Sequence, residues 1–266
     1  MKDVQHPGNR PRGSLIPDWT IPETVPDLGA GVVHLWRISL LRERSAIDAC
    51  VQLLSADERE RMERFHFDVH RERFALRRGA LRILLGRYLA VDPRRVELHY
   101  SPKGKPEVEP PDANEPLRFN LSDSSDWALL GLTRRDRIGV DIEEMRAHSD
   151  LETLARDHFS PHECEEFLSL QVSERTAGFY NAWTRKEAWL KACGDGLSVP
   201  LGDFDVSLTP GEPPRLLRVR GEPSPPRGWA LRAFDPVPGY VGAVAVERER
   251  FRLLTWTFEL AGRAAS

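Results

Sequence analysis

The chain has 266 residues, 40% of them hydrophobic, which is enough for one large domain or two modest ones with their own cores. Its net charge of −3 and pI near 6.3 argue against a generic nucleic-acid-binding protein, because such proteins usually carry a basic excess. Cys50, Cys164 and Cys193 are odd in number and far apart, which fits neither a disulfide framework nor a zinc site with paired ligands.

Met1, Lys2 and Asp3 are followed by a hydrophilic, proline-rich stretch, where a signal peptide would have an apolar segment. Nowhere do about 18 apolar residues follow one another, as a membrane span requires. We therefore expect a cytoplasmic protein that does not contact a membrane. Residues 1–28 are rich in proline and glycine without sustained periodicity, which predicts a mobile N-terminal tail.

Residues 29–136 are predicted to form an N-terminal α+β half. A strand pattern covers 32–38, and Ser55 followed by Glu58 is a capping-box signature that predicts the start of a helix. Apolar residues then recur at helical spacing over 69–90, and a proline ends the run. Short strands are predicted after this helix at 96–100, 117–122 and 127–133.

Residues 137–262 repeat this order and are predicted to form a C-terminal α+β half. A strand at 138–143 precedes three helical patterns, and strands follow them. The helices are predicted at 151–157, 161–170 and 174–192, and the strands at 204–208, 216–219, 229–234, 240–246 and 253–260. The order predicts an α+β fold, a pseudo-dimer of two similar halves with the active site at their junction. We expect a monomer. The stretch W-A-L-L-G-L, which starts at Trp127, is similar to W-A-L-R-A-F, which starts at Trp229, and this similarity is weak additional evidence of duplication.

Nine arginines lie between positions 59 and 87, with hydrophobic residues among them. A charge run of this kind usually marks a solvated helix face. The alternative is a surface that contacts phosphate.

Asp141 and Glu143 share one face of a predicted strand. In I-G-V-D-I-E at 138–143, apolar residues alternate with Gly139, Asp141 and Glu143, which is the period of a strand with one buried face. Two neighbouring carboxylates repel each other unless a cation lies between them, and Mg²⁺ prefers such oxygen ligands. The plain alternative is two exposed acids at a strand end.

The stretch W-T-R-K-E-A-W-L-K at 183–191 lies on the last predicted helix. At about 100° per residue Lys186 falls on the apolar stripe with Phe179 and Trp183, where a lysine is costly unless it is paired. Glu187 and Lys191 lie one turn apart on the neighbouring stripe. They are either an ordinary surface pair, or a third metal ligand or general base beside a phosphate-binding lysine.

The two stretches just described are joined by further segments in a fixed order. These are Ser55 to Arg73 with R-R-G-A-L-R-I-L-L at 77–85, G-K-P at 104–106, F-N-L-S at 119–122 and G-D-G-L-S-V-P-L at 194–201. Together with G-V-D-I-E at 139–143 and W-T-R-K-E-A-W-L-K at 183–191, they resemble the phosphopantetheinyl transferases, and best the longer, surfactin-synthetase-activating (Sfp-like) branch. The resemblance spans about 53–208.

The resemblance implies the same pseudo-dimeric fold and the transfer of 4′-phosphopantetheine from coenzyme A to a serine of an apo acyl or peptidyl carrier protein. This is a holo-[acyl-carrier-protein] synthase type of reaction, and it leaves adenosine 3′,5′-bisphosphate. It also implies that Asp141, Glu143 and Glu187 hold Mg²⁺ on the pyrophosphate of the coenzyme. Glu187 would be the general base, and Lys191 would contact the pyrophosphate.

The resemblance also implies that Arg73, Lys105 and Ser122 bind the nucleotide end of coenzyme A, and especially its 3′-phosphate. Asp123 stands where the family usually has a coenzyme-contacting histidine, so an acid lies at a phosphate-binding position. It either turns away and pairs with an arginine of the 71–78 run or weakens binding of the 3′-phosphate. Two alternatives remain, a silent homologue that binds coenzyme A or a carrier protein and a metal-dependent nuclease. The helical spacing of Glu187 and Lys191 disfavours the nuclease.

Overall fold

A computed structural model describes residues 18–108, 116–194, 199–221 and 227–260. Within these ranges one succession of a strand, three helices, a 3₁₀ turn and four strands occurs twice. The first copy comprises β1 (Val32–Ser39), α1 (Arg44–Val51), α2 (Ala56–Glu63), α3 (Asp68–Leu89), β2 (Leu98–Tyr100), β3 (Pro106–Val108), β4 (Leu117–Ser124) and β5 (Trp127–Arg134). The second comprises β6 (Ile138–Glu144), α4 (Leu151–His158), α5 (Pro161–Ser169), α6 (Val172–Cys193), β7 (Phe204–Val206), β8 (Leu216–Val219), β9 (Ala230–Phe234) and β10 (Tyr240–Val246), and β11 (Arg252–Phe258) ends the fold.

Strand pairing repeats as well. In the first copy β1 pairs with β5 and β5 with β4, all antiparallel, and β2 and β3 form a separate hairpin. In the second copy β6, β10 and β9 pair in the equivalent order, and β7 and β8 form the equivalent hairpin. The predicted α+β fold of two similar halves is therefore confirmed. The repeated W-A-L motif is not part of this symmetry, because it starts β5 in one half and leads into β9 in the other, whereas the strand equivalent to β5 is β10.

The described residues form three apolar cores. One packs α3 on the sheet of the first half, and a second packs α6 on the sheet of the second half. The third lies between the two sheets, because β1 and β5 on one side and β6 and β10 on the other contribute buried aliphatic side chains. Its fully buried members include Leu35, Leu129, Ile138, Val140 and Val244. Burial of this third core fixes the two halves against each other.

The two long helices agree with the predicted ones to within two residues at each end. The predicted capping box opens α2, where the Ser55 backbone N–H donates to Glu58 Oε2 at 3.0 Å. Helix α1 was not predicted, and its first residue follows Glu43, which makes no capping hydrogen bond through its side chain. Strand β3, which has three residues, was also not predicted.

The last strand crosses from the second copy to the first. β11 lies parallel to β1 at the edge of the first sheet, with Trp36 opposite Trp256. It therefore belongs to the sheet of the first half, although the predicted division placed it in the second. Residues 18–20 run alongside, and the Thr257 N–H donates to Thr20 O at 2.7 Å. Of the predicted mobile tail, residues 1–17 lie outside the described residues.

Candidate active site

The candidate site lies where the edge strands of the two sheets, β4 and β6, run side by side. Side chains at alternate positions of β4 bridge the two strands. The backbone N–H of Val140 donates to Asn120 Oδ1 at 2.8 Å, and Ser124 Oγ donates to Glu143 Oε2 at 2.8 Å. Between them Ser122 Oγ donates to Asp141 Oδ1 at 2.8 Å. These hydrogen bonds align the polar face of β4 with the carboxylate-bearing face of β6.

Gly139 allows helix α6 to approach strand β6 closely. A Cβ at this position would lie 2.1 Å from the carbonyl oxygen of Ala188 and 2.3 Å from the backbone nitrogen of Ala192. Both distances are shorter than van der Waals contact, so only glycine fits here. The close approach brings the last turns of α6 against the face of β6 that carries Asp141. This face is therefore buried under the helix rather than exposed.

Asp141 and Lys191 form the central ion pair. Lys191 Nζ lies 2.6 Å from Asp141 Oδ1 and donates to Ser122 Oγ at 2.9 Å. Asp141 is only 2% exposed, and burial raises the pKa of its carboxyl group against the opposing effect of Lys191. Its second oxygen, Oδ2, is buried and has no hydrogen-bond partner among the described residues. A buried carboxylate oxygen without a partner is costly, which makes this atom a candidate ligand for a cation.

Glu143 and Glu187 interact with Asp141 and complete a group of three acids. Burial, together with repulsion from Asp141, raises the pKa of Glu143 to about 7. Burial also raises the pKa of Glu187, and repulsion from the charge of Asp141 raises it further. Lys191 lies in the field of all three acids, and their attraction raises its pKa although burial acts in the opposite direction.

These residues fit a divalent cation by the chemistry of their donors. Three interacting carboxylates and a buried oxygen without a partner provide the hard ligands that Mg²⁺ prefers. Within the described ranges, no three acidic, histidine or cysteine side chains already enclose a metal-binding position. The ammonium of Lys191 lies against Asp141 instead. Binding a cation would thus require rearrangement of these side chains.

Two family descriptions match the chain, one for each half. Residues 137–245 match the 4′-phosphopantetheinyl transferase superfamily, and residues 42–133 match the N-terminal part of a 4′-phosphopantetheinyl transferase. The 4′-phosphopantetheinyl transferase HetI of Nostoc sp. is 42% identical over 214 residues, which cover 80% of this chain and 87% of the relative. The chain belongs to the 4′-phosphopantetheinyl transferase superfamily.

Two relatives from Bacillus subtilis extend the comparison. The 4′-phosphopantetheinyl transferase ffp is 31% identical over 204 residues, covering 77% of this chain and 87% of the relative. The 4′-phosphopantetheinyl transferase Sfp is 32% identical over 159 residues, covering 59% of this chain and 68% of the relative. The predicted family is therefore confirmed. Among the described residues, no helix is long and apolar enough to span a membrane.

The structure of this phosphopantetheinyl transferase brings only some of the predicted site residues together. Asp141, Glu143, Ser122 and Lys191 are linked by interactions around β6, and Glu187 shares their electrostatic field. Their roles stay predictions. Part of the segment 194–201 that resembles the family, residues 195–198, lies outside the described residues.

Arg73 and Asp123 lie away from this group, between α3 and the β4–β5 hairpin. Arg73 pairs with Asp126, and Arg77 pairs with Asp123. Asp123 lies between Ser122 and Ser124 in a strand, so its side chain points to the opposite face from theirs. Of the two expectations for Asp123, the structure therefore shows pairing with an arginine of the 71–78 run.

Lys105 is the third predicted nucleotide-binding residue. Its ammonium donates to the backbone carbonyl oxygens of Ile138 and Lys191, where β6 begins and α6 ends. Burial lowers the pKa of Lys105 to about 8. It lines a cavity of about 210 Å³ with Arg118, Phe119 and Arg137.

The arginine-rich stretch is largely used inside the fold. Arg78 and Arg82 are 5% and 3% exposed and lie 3.2 and 2.5 Å from the carboxylate of Glu58. With Arg73 and Arg77 paired to acids of the hairpin, the stretch is not a simple solvated face. Lys186 likewise has the partner that its apolar position required, because its Nζ lies 2.7 Å from Glu163.

Sequence reasoning missed Asn120 and Ser124, which fix β4 to β6. A signal was present, because polar side chains at 120, 122 and 124 recur with the period of a strand, as do residues 139, 141 and 143. Two complementary polar faces in separate strands could have been matched with each other.

Proposed function

We propose that this protein transfers 4′-phosphopantetheine from coenzyme A to a serine hydroxyl of an apo acyl or peptidyl carrier protein, a holo-[acyl-carrier-protein] synthase reaction. The observation that supports it most is the buried pair of Asp141 and Lys191, with Asp141 Oδ2 left without a partner among the described residues. Such a pair offers a ligand for a cation and a donor for a phosphate oxygen at the same place. A pyrophosphate bound with a divalent cation needs both.

Asp141, Glu143 and Glu187 would hold Mg²⁺. When bound, Mg²⁺ neutralises negative charge on the pyrophosphate and makes the departing phosphate a better leaving group. Asp141 would bind through Oδ2, so that its other oxygen keeps the hydrogen bond from Ser122. Ser124 holds Glu143 from the neighbouring strand in the same manner.

Glu187 would accept the proton of the attacking serine. The serine oxygen forms a bond to the phosphorus that carries pantetheine, and the bond from that phosphorus to the bridging oxygen breaks. The electron pair leaves with adenosine 3′,5′-bisphosphate, and the serine proton passes to a carboxylate oxygen of Glu187, directly or through water. Burial raises the pKa of Glu187, and a carboxylate with a raised pKa is a stronger base.

Lys191 would donate hydrogen bonds to the pyrophosphate oxygens on which charge grows as the bond breaks. Its side chain is 31% exposed, so Lys191 faces solvent in part and is not sealed in the core. The attraction of the three acids raises its pKa and keeps it protonated at neutral pH. It can thus remain a donor throughout the reaction.

Arg73, Lys105 and Ser122 stay assigned by resemblance to the nucleotide end of coenzyme A. Because Asp123 pairs with Arg77, the charge of Asp123 is neutralised within the protein. An acid at this position therefore does not by itself favour a catalytically silent homologue.

Intact-mass analysis of apo carrier proteins incubated with enzyme, coenzyme A and Mg²⁺ tests the proposal. We expect a phosphopantetheine adduct on at least one carrier protein, and none when its acceptor serine is changed to alanine. Glu187→Gln should abolish the adduct, whereas Glu165→Gln, on the exposed side of α5, should not. Absence of any adduct over a panel of fatty-acid, polyketide and peptide carrier proteins would contradict the proposed activity.

A further inference from the structure

A second cavity, of about 200 Å³, lies on the other side of α6 from the candidate active site. Arg185 lines it, and Arg185 and Glu187 project from opposite sides of the helix because they are two residues apart at about 100° per residue. The cavity is bounded by α6, the edge of β9 and β10, and the loop at 210–212. Its apolar walls are Met145, Ala177, Ala233, Phe234 and Val241. None of the predicted site residues lines it.

Arg185 is a buried cation, and within the described ranges its side chain donates hydrogen bonds only to neutral groups. It is 3% exposed, and its Nη1 donates to the carbonyl oxygen of Ser207 at 2.5 Å and to Ser207 Oγ at 3.1 Å. Its Nε is buried and has no partner among the described residues, and no described acid lies within ion-pair distance of the guanidinium. Burial lowers the pKa of Arg185 to about 10, against the attraction of Glu166 and Glu212, neither of which forms an ion pair with it. A buried guanidinium without a direct ion pair is costly, and a bound anion would reduce that cost.

The surroundings of Arg185 indicate which anion fits. The walls are apolar, which favours a ligand with a hydrocarbon part. Glu212 and Asp235 are exposed residues at the cavity, and their negative charge disfavours a doubly charged anion such as phosphate. A carboxylate carries one charge and matches the planar geometry of a guanidinium. At about 30 Å³ per water molecule the volume corresponds to roughly seven water molecules, the size of a short fatty acid.

We propose that this cavity binds a small aliphatic carboxylate, with its carboxylate on Arg185 and its hydrocarbon tail against Met145, Phe234 and Val241. The site is separate from the site of phosphopantetheine transfer, and binding there requires neither coenzyme A nor a carrier protein.

Calorimetric titration of the protein with sodium butanoate at fixed ionic strength tests this proposal. We expect saturable binding of one butanoate per chain and no saturable binding of butan-1-ol, which has the same tail without the charge. Phosphate should bind at least tenfold more weakly than butanoate. Arg185→Gln should weaken butanoate binding tenfold or more, while Arg215→Gln, an exposed arginine outside the cavity, should bind as the wild type does.

Ala177→Leu provides a second variant, because Arg185→Gln also removes the hydrogen bonds to Ser207 and could prevent folding. The larger side chain fills the cavity from the helix while Arg185 stays in place, and Ala177 is only partly buried. We expect Ala177→Leu to melt near the wild-type temperature and to lose butanoate binding. Failure of the wild type to bind butanoate would overturn the proposal. Unchanged binding in Ala177→Leu, or phosphate binding as tight as that of butanoate, would also overturn it.

Discussion

The ammonium of Lys105 donates a hydrogen bond of 2.5 Å to the backbone carbonyl oxygen of Lys191, and one of 3.1 Å to that of Ile138. Lys105 belongs to the first half, whereas both acceptors belong to the second. One side chain thus joins the end of α6 to the start of β6, the two elements that carry Lys191 and Asp141. This contact suggests that Lys105 positions Lys191, in addition to the nucleotide contact that the resemblance implies.

Lys105→Met is therefore expected to lower the free energy of unfolding by about 1–3 kcal/mol, because two carbonyl oxygens lose their donor. It should also reduce kcat for carrier modification more than it raises KM for coenzyme A. Chemical denaturation and steady-state kinetics measure both effects. Lys103→Met, at an exposed position of the same turn, is the control. A rise in KM alone, with kcat and stability unchanged, would assign Lys105 to nucleotide binding only.

Asp141→Asn should remove both transfer activity and the response to Mg²⁺. If the three carboxylates hold the cation, Mg²⁺ raises the melting temperature of the wild type in a saturable way, since a ligand that binds only the folded state stabilises it. Asp141→Asn should abolish this shift, and Glu165→Gln should keep it. The measurement is thermal unfolding over a range of Mg²⁺ concentrations without coenzyme A. An equal shift in Asp141→Asn and wild type would place the cation elsewhere.

Lys186 and Lys191 should respond differently to the same substitution. Lys186 and Glu163 are both 0% exposed and paired, so Lys186→Met strands a buried carboxylate and should cost about 3–5 kcal/mol of stability. Lys191 is 31% exposed, and Asp141 keeps the hydrogen bond from Ser122 when the ammonium is removed, so Lys191→Met should slow transfer with a smaller loss of stability. Denaturant unfolding of both variants decides this. Equal losses of stability would show that the two lysines do not have separate roles.

The double variant Lys186→Met/Glu163→Gln sharpens the test. It removes the charge that the single variant leaves buried, so its loss of stability should be smaller than the sum of the two single losses. Additive losses would mean that Lys186 and Glu163 do not stabilise the fold as a pair.

Stability should also fall in acid through His34, which is 0% exposed. Its Nδ1 lies 2.7 Å from the hydroxyl of Tyr88, and Nε2 is buried without a partner in the described part of the chain. Burial lowers the pKa of His34 from 6.5 to about 4. The unfolded chain therefore binds a proton that the folded chain excludes, so the stabilising contribution is complete above pH 6.5 and is lost as the pH falls toward 4.

A pKa difference of this size corresponds to about 3 kcal/mol, at 1.36 kcal/mol for each pH unit. His34→Gln should be less stable at pH 7 but should lose less stability than wild type between pH 7 and pH 4.5. The exposed His162→Gln serves as the control and should follow the wild type. Denaturant unfolding at several pH values gives the slopes. Parallel slopes for His34→Gln and wild type would exclude His34 as the group responsible.

The sequence predicted the parts of this fold that depend on local order. α3 and α6 are long enough to show helical periodicity, and the capping box of α2 is a signal of four residues. β3 is three residues long and begins with a proline, a residue that is disfavoured within strands, so its sequence did not indicate a strand. The pairing of β11 with β1 joins residues more than 200 positions apart, and no local pattern encodes it.

In the candidate site, too, local sequence patterns predicted some features, and others depend on long-range packing. The face shared by Asp141 and Glu143, and the need of Lys186 for a partner, followed from strand and helix periods. The identity of that partner, Glu163, depends on how α5 packs on α6 and became visible only in the structure. The contact of Lys105 with Lys191 likewise depends on the junction of the two halves. Long-range packing therefore determines the partners of residues that local patterns identify.

The last prediction concerns Asp123 and Arg77. Their side chains are paired, so the guanidinium of Arg77 is already engaged by a carboxylate that a coenzyme phosphate would have to displace. A substitution that removes the carboxylate should release Arg77. We therefore expect Asp123→His to bind coenzyme A more tightly than wild type. The wild type should distinguish poorly between coenzyme A and its 3′-dephospho form, because its acid offsets the attraction of the arginine for the 3′-phosphate.

Calorimetric titration of both proteins with both ligands measures this directly. Asp123→His should gain affinity for coenzyme A but little for 3′-dephospho-coenzyme A, since only the former carries the phosphate in question. Asp123→Asn separates the two contributions of the substitution, because it removes the negative charge without adding an imidazole. A similar gain in both variants would assign the effect to release of Arg77. A wild type that strongly prefers coenzyme A, with no gain in either variant, would show that Asp123 is remote from the 3′-phosphate.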